Sequence, residues 1–291
     1  MQGWARALNP TYAASIRITM LPRASVSLWA SGPLTLPPLA SGPRALHSSL
    51  MRLAFLACLL SLGLSAAEFT LSPDVKFKPE AKHFEQAGLP HALDYLAYLP
   101  SSYAKDTAKK WPLVIFLHGS GERGNLVNAV RKNGLPFELD RRGDTPYVMI
   151  APQCPANERW NVQVLDALLT DLLKTTRIDE KRVIVTGLSL GGFGSWAWAC
   201  EHPERFAGVI PVCGGIDPAK TVSLKGMPIW GFHGDKDQNV ALERGQLAAE
   251  AAKKNGADVK FTIYPGVGHN SWEKAYAEPE LEAWILARVR K

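Results

Sequence analysis

Six nearly continuous apolar runs, each closed by glycine, proline or cysteine, mark out the C-terminal two-thirds of the chain. They fall at 112–119, 147–152, 182–187, 207–213, 227–234 and 259–265. Runs of this kind suit strands buried on both faces of a parallel sheet, where neither side needs a polar residue. Helical spacing fills the gaps between them. Val164, Leu165, Leu168, Leu169, Leu172 and Leu173 recur at i, i+3, i+4 and predict a helix over 161–176. Further helices are expected over 192–201, ending before His202-Pro203, over 240–254 with Gly256 as its stop, and over 279–290 through Leu281, Trp284 and Ile285. Residues 91–100 alternate and carry two tyrosines, which predicts a half-buried strand near a sheet edge, paired in a hairpin with the segment around Phe84. Residues 68–82 are polar and expected at the surface. Strand–helix alternation of this sort predicts an α/β protein: a mostly parallel sheet with helices on both faces, in one domain over 68–291.

The charge balance changes the picture only at the N-terminus. The chain has 33 Lys+Arg against 27 Asp+Glu, a net of +6. Residues 1–67 hold Arg6, Arg17, Arg23, Arg44 and Arg52 and no acid; setting those five aside leaves 28 basic against 27 acidic residues. The basic character therefore gives no reason to expect a nucleic-acid partner or an anionic membrane surface. Residues 1–50 read either as an organellar transit peptide or as a disordered or untranslated leader. The second is favoured because Met51 opens a coherent secretory signal over 51–67: Arg52, an apolar stretch from Leu53 to Leu64, then Ser65-Ala66-Ala67. That stretch is too short to span a bilayer, which takes about 20 residues. A secreted or periplasmic protein without stable membrane insertion is expected. Cleavage after Ala67 removes Cys58 and leaves Cys154, Cys200 and Cys213, an odd number read as buried small hydrophobes.

Candidate chemistry sits at the C-terminal ends of the predicted strands, where open α/β sheets place their sites. These ends carry His118-Gly-Ser-Gly-Glu-Arg-Gly124, Gln153-Cys154, Gly187-Leu-Ser189-Leu-Gly-Gly192, His233-Gly-Asp-Lys-Asp237 and Gly266-Val-Gly-His269-Asn-Ser-Trp272. Gly187-Leu-Ser-Leu-Gly191 is a Gly-x-Ser-x-Gly pattern at a strand-to-helix junction. A serine hydroxyl needs a neutral imidazole to accept its proton and a carboxylate to orient that imidazole. Ser189, Asp237 and His269 can fill these roles, in the chain order Ser, Asp, His.

With these motifs the chain from about residue 84 onward resembles the α/β-hydrolase superfamily. The likeness is to secreted serine carboxylesterases of the dienelactone-hydrolase and phospholipase/carboxylesterase type, often labelled predicted peptidases. The resemblance implies an α/β-hydrolase fold, ester hydrolysis through an acyl-enzyme, and neither metal nor cofactor. Dienelactone hydrolases proper use cysteine as nucleophile, so serine at 189 favours the esterase side. The pattern His-Gly-x-x-Asp places the acid at Asp237 and leaves Asp235 as a turn residue. His118, His202 and His233 are the rivals to His269, which alone lies on a glycine-rich loop after the last strand. An oxyanion hole is expected from the amides of Leu190 and Ser120, with Gly119 or Gly121 as alternatives to Ser120. Glu122 and Arg123 are read as substrate contacts or loop-ordering residues, against a local salt bridge. Trp160 and Trp272 are candidate substrate-pocket walls, and Trp196 and Trp198 are expected in the core. In this superfamily the strands ending at Cys154 and Cys213 are separated by two others. That puts them roughly 14 Å apart, beyond the roughly 6 Å reach of a disulfide.

The expected substrate is a small-molecule or carbohydrate-linked ester, short acyl or feruloyl-type, in an open cleft. The alternative is a serine peptidase resembling the catalytic domain of prolyl oligopeptidases. The chain offers no room for the gating propeller of those enzymes.

Overall fold

Side chains point alternately to the two faces of a strand, so a continuous apolar run feeds two cores at once. The computed structural model describes residues 76–291; the leader, the signal segment and Cys58 lie outside them. Its strands are β1 (Glu80–Phe84), β2 (Leu93–Tyr98), β3 (Trp111–Leu117), β4 (Val148–Pro152), β5 (Ile178–Leu188), β6 (Gly208–Val212), β7 (Pro228–Gly234) and β8 (Asp258–Tyr264). The six runs supply β3 to β8. They form one sheet in the order β1-β2-β4-β3-β5-β6-β7-β8. The β1–β2 and β2–β4 pairs are antiparallel and the rest are parallel.

Leu113, Ile115, Leu117, Val183 and Val185 face one core, with α2 (Val162–Thr175), α3 (Leu190–Glu201) and α4 (Leu242–Lys254). Val114, Phe116 and Ile184 face the other, with α1 (Gly134–Arg142), α5 (Trp272–Tyr276) and α6 (Leu281–Leu286). Trp196 and Trp198 are buried in the first core, as expected. Among the described residues no helix is long and apolar enough to cross a membrane.

The strand expected around Phe84 is Glu80–Phe84, which pairs antiparallel with β2 and forms one edge of the sheet, its first four residues exposed and Phe84 buried. Polar residues are what an unpaired edge favours. Helix α1 had no counterpart in the apolar pattern. The helix expected over 279–290 ends at Leu286, because the amide of Arg290 bonds the carbonyl of Lys181 and draws the C-terminus alongside β5.

Candidate active site

The site is built where β5 becomes α3. Ser189 stands at the junction with φ 52° and ψ −113°, and its amide bonds the Val212 carbonyl at 3.0 Å. A non-glycine residue at positive φ is strained, and such strain persists only where the surroundings enforce it. The flanking glycines let the surroundings close in. A methyl group on Gly191 would lie 1.8 Å from the Leu117 carbonyl oxygen, and one on Gly187 would lie 2.5 Å from the same atom.

Loops after β7 and β8 bring the partners to this serine. His269 Nε2 is 2.9 Å from Ser189 Oγ, and His269 Nδ1 is 2.8 Å from Asp237 Oδ2. Asp237 also accepts from the Asn239 and Val240 amides, both at 2.9 Å. Burial works to raise the Asp237 carboxyl, but the His269 and amide hydrogen bonds outweigh it and hold it below the ordinary carboxylate range. Asp235 instead accepts from the Gly266 amide at 2.7 Å and fastens the loop carrying His269.

The rival histidines are placed elsewhere. His233 is fully buried; its Nε2 lies 2.9 Å from the Val240 carbonyl and 3.3 Å from Asp237 Oδ2, so it braces the acid from behind. His202 sits at the end of α3, 3.4 Å from Glu204. His118 accepts at Nε2 from the Cys154 amide at 2.9 Å, which leaves its Nδ1–H to donate to the Gly119 carbonyl at 2.6 Å. It thus ties the loop after β3 to the loop after β4. Trp160 donates to the His118 carbonyl at 3.2 Å and packs edge-on to its ring. Gln153, which the sequence placed at a strand end without assigning it a role, donates to the carbonyls of Glu122 and Leu126.

Burial lowers the His118 ring from 6.5 to about 4; the Gly119 bond opposes this and Arg123 adds to it. Between those pH values the unfolded chain binds a proton that the folded chain refuses. Stability is therefore expected to fall as pH is lowered through this window, by at most about 3 kcal/mol. Urea midpoints near pH 7 and near pH 4.5 check this. Equal losses in the parent and in His118→Gln would refute the assignment.

The two proposed oxyanion amides both begin helical turns. Leu190 opens α3 and Ser120 opens the 3₁₀ turn Ser120–Glu122, positions at which an N–H has no acceptor within its own turn. Glu122 turns inward: it is 4% exposed, and its carboxylate accepts from Asn133. This is the loop-ordering role rather than substrate contact. Arg123 donates to the Ser120 and Glu158 carbonyls, which also orders the loop. Trp160 and Trp272 do line cavities. One cavity of about 530 Å³ starts at Leu190 and is walled by Trp160, Phe193, Ile216 and Leu247. A second, of about 340 Å³, is walled by Trp272 and residues of α1.

Cys154, Cys200 and Cys213 are free thiols, and β3 and β5 separate the strands that lead to Cys154 and Cys213. Donor atoms of Cys213, Asp237 and His269 lie within 4.8 Å of one another. Burial pushes the Cys213 thiol up to about 12, however, and the other two are engaged with each other. The trio is a hydrogen-bonded acid–base pair beside a neutral thiol, not a set of ready metal ligands.

A Gly-x-Ser-x-Gly elbow, a parallel sheet and later-strand loops carrying Asp and His define the α/β-hydrolase class. Residues 95–283 match the dienelactone hydrolase family, and the chain belongs to it; by family it is a carboxylic ester hydrolase. Relatives include a probable feruloyl esterase C of Aspergillus flavus, 26% identical over 187 residues, 61% of this chain and 67% of that protein. An acyl-protein thioesterase 1 of Gibberella zeae is 30% identical over 207 residues, 57% of this chain and 87% of that protein. The crystal structure of a thermostable esterase superposes with TM-score 0.67 at 31% identity. It covers 73% of this chain, which in turn spans 63% of that one.

Proposed function

We propose that the protein is a serine carboxylesterase working through an acyl-enzyme. The observation that carries the reading is the unbroken contact chain from Ser189 Oγ to His269 Nε2 (2.9 Å) and from His269 Nδ1 to Asp237 (2.8 Å). Ser189 Oγ attacks the ester carbonyl while His269 Nε2 takes its proton. Asp237 holds the imidazole in the tautomer that can accept it and stabilises the imidazolium that forms. The amides of Leu190 and Ser120 receive the developing oxyanion, each worth roughly 3 kcal/mol of transition-state stabilisation. His269 then gives the proton to the leaving alkoxide. Water, activated by the same imidazole, releases the acid and restores Ser189.

The acyl group is short or of feruloyl type. The apolar cavity beside Leu190 and the feruloyl esterase relatives support this choice. Hydrolysis of p-nitrophenyl acetate against a prolyl p-nitroanilide tests the reading, together with fluorophosphonate labelling. Ester turnover far above amide turnover, with an adduct on Ser189, is expected. Comparable amide turnover would favour a peptidase, and folded protein that takes no label would refute the nucleophile. Export is part of the proposal and rests on the signal-like segment 51–67. The secreted protein should begin at Glu68 on N-terminal sequencing, and full-length protein retained in the cytoplasm would refute export.

A further inference from the structure

We propose that His233 is a positioning residue for the triad: it puts a second imidazole N–H on the Asp237 oxygen that holds His269, and so sets how far into acidic solution the enzyme works. The inference rests on the serine-esterase reading above. His233 lies at the end of β7, four residues before Asp237, and its side chain is fully buried. Its Nε2 faces the Val240 carbonyl at 2.9 Å and Asp237 Oδ2 at 3.3 Å. A carbonyl and an ionised carboxylate only accept, so Nε2 carries the ring proton and shares it between them. Asp237 is thereby held from both oxygens. The amides of Asn239 and Val240 bond Oδ1, and the two imidazoles meet at Oδ2.

Two features show that this ring is placed against resistance. His233 Nδ1 is shielded from solvent and has no hydrogen-bond partner among the described residues. A bare buried lone pair is unfavourable, and an apolar side chain would avoid it. Gly245 lies inside α4, where glycine weakens a helix. A methyl group there would stand 2.8 Å from His233 Nδ1, so the helix lacks a side chain where the ring needs room. Both features are offset only on the Nε2 side, where the ring meets the acid. A hydrogen bond donated to Oδ2 draws charge from the oxygen that attracts the His269 imidazolium. The imidazolium is then held less tightly, and the neutral base that Ser189 needs persists at lower pH. The other ionisable group in this corner is Cys213, with Sγ within 4.8 Å of the Asp237 and His269 ligand atoms, and burial keeps that thiol neutral. Beside His233, α4 presents Gly245 and β8 presents Ile263, neither of which ionises. Asp235 and Lys236 on the same loop, and Glu243 and Arg244 on α4, are exposed.

The proposal is tested by kcat/KM for p-nitrophenyl acetate from about pH 4.5 to about pH 8 in the parent, His233→Gln and His233→Leu. The Gln side-chain amide can donate from the place of Nε2, whereas Leu has no donor. His233→Leu is expected to move the acidic limb of the profile up by about half a pH unit, about a threefold loss on that limb, the modest size that a long, shared bond implies. His233→Gln should keep the parental limb. Lost packing alone would lower the plateau or the stability and leave the limb in place. A limb that stays put or moves down in folded His233→Leu, or that moves equally in both variants, overturns the proposal. The parent decides where a variant does not fold. With histidine rings labelled with ¹⁵N, His233 should be the Nε2–H tautomer, and its Nε2 resonance should move when His269 takes up a proton. An Nδ1–H tautomer, or an Nε2 resonance indifferent to His269, overturns the role of His233 alone. A parent that neither hydrolyses the ester nor takes a fluorophosphonate label on Ser189 overturns the esterase reading and this proposal with it.

Discussion

Ser189→Ala is expected to lower kcat by about 10⁴-fold or more while leaving the fold intact. Removing Oγ deletes the covalent route, and what remains is the modest catalysis that substrate binding and the oxyanion amides give on their own. The substitution adds no bulk, and Ala meets the positive φ at this position with the same difficulty as Ser. The urea midpoint should therefore stay within about 0.5 kcal/mol of the parent. Ser189→Gly separates strain from chemistry: it should be equally inactive yet more stable, since glycine accepts this backbone without cost. A Ser189→Ala protein retaining a tenth of the parent kcat would exclude Ser189 as the nucleophile.

Gly191→Ala is expected to be the most damaging methyl addition at any glycine among the described residues. Its Cβ would lie 1.8 Å from the Leu117 carbonyl oxygen and 2.8 Å from that of His118. Both are backbone atoms at the end of a central strand, so neither can swing aside as a side chain would. Overpacking of this kind costs about 3 kcal/mol or more, and the displacement would also shift the helix start that carries the Leu190 amide. Gly121→Ala is the matched control, with nothing within 4 Å of the added methyl. Chemical denaturation of the two variants side by side decides the matter. Similar stabilities would mean that the close approach of β3 and α3 is not a constraint.

The sequence disclosed the strands more readily than the helices. The strands β3 to β8 are bounded by residues that end strands, and the apolar runs of β3 to β7 are nearly continuous because both faces are covered, whereas β8, at the sheet edge, has no fully buried residue and interleaves polar ones. Ser189, Asp237 and His269 were legible for a related reason: each follows such a run, at the edge where loops are free to carry chemistry. Helix α1 was not legible. It opens Gly-Leu-Pro and offers the core mainly Leu135 and Leu139, too sparse a stripe to register as a period. The fate of Glu122 was not legible either. Whether a carboxylate in a loop faces substrate or protein depends here on Asn133, eleven residues away, and no local pattern encodes that contact. The role of Gln153 was missed for the same cause: its two acceptors, Glu122 and Leu126, lie on another strand's loop.

The cross-tie through His118 bears on how this enzyme can change over generations. His118, the Cys154 amide, Gln153 and Trp160 share one hydrogen-bonded assembly that fixes the loop carrying Ser120. Substitutions inside such an assembly do not combine additively, so each constrains which others can be accepted, and acceptable changes must arrive together. Phe193, Ile216 and Leu247 line the apolar cavity outside that assembly and can vary one at a time. On the proposed reading, new acyl preferences are therefore within reach of single mutations, whereas relocating the Ser120 loop requires crossing an epistatic barrier.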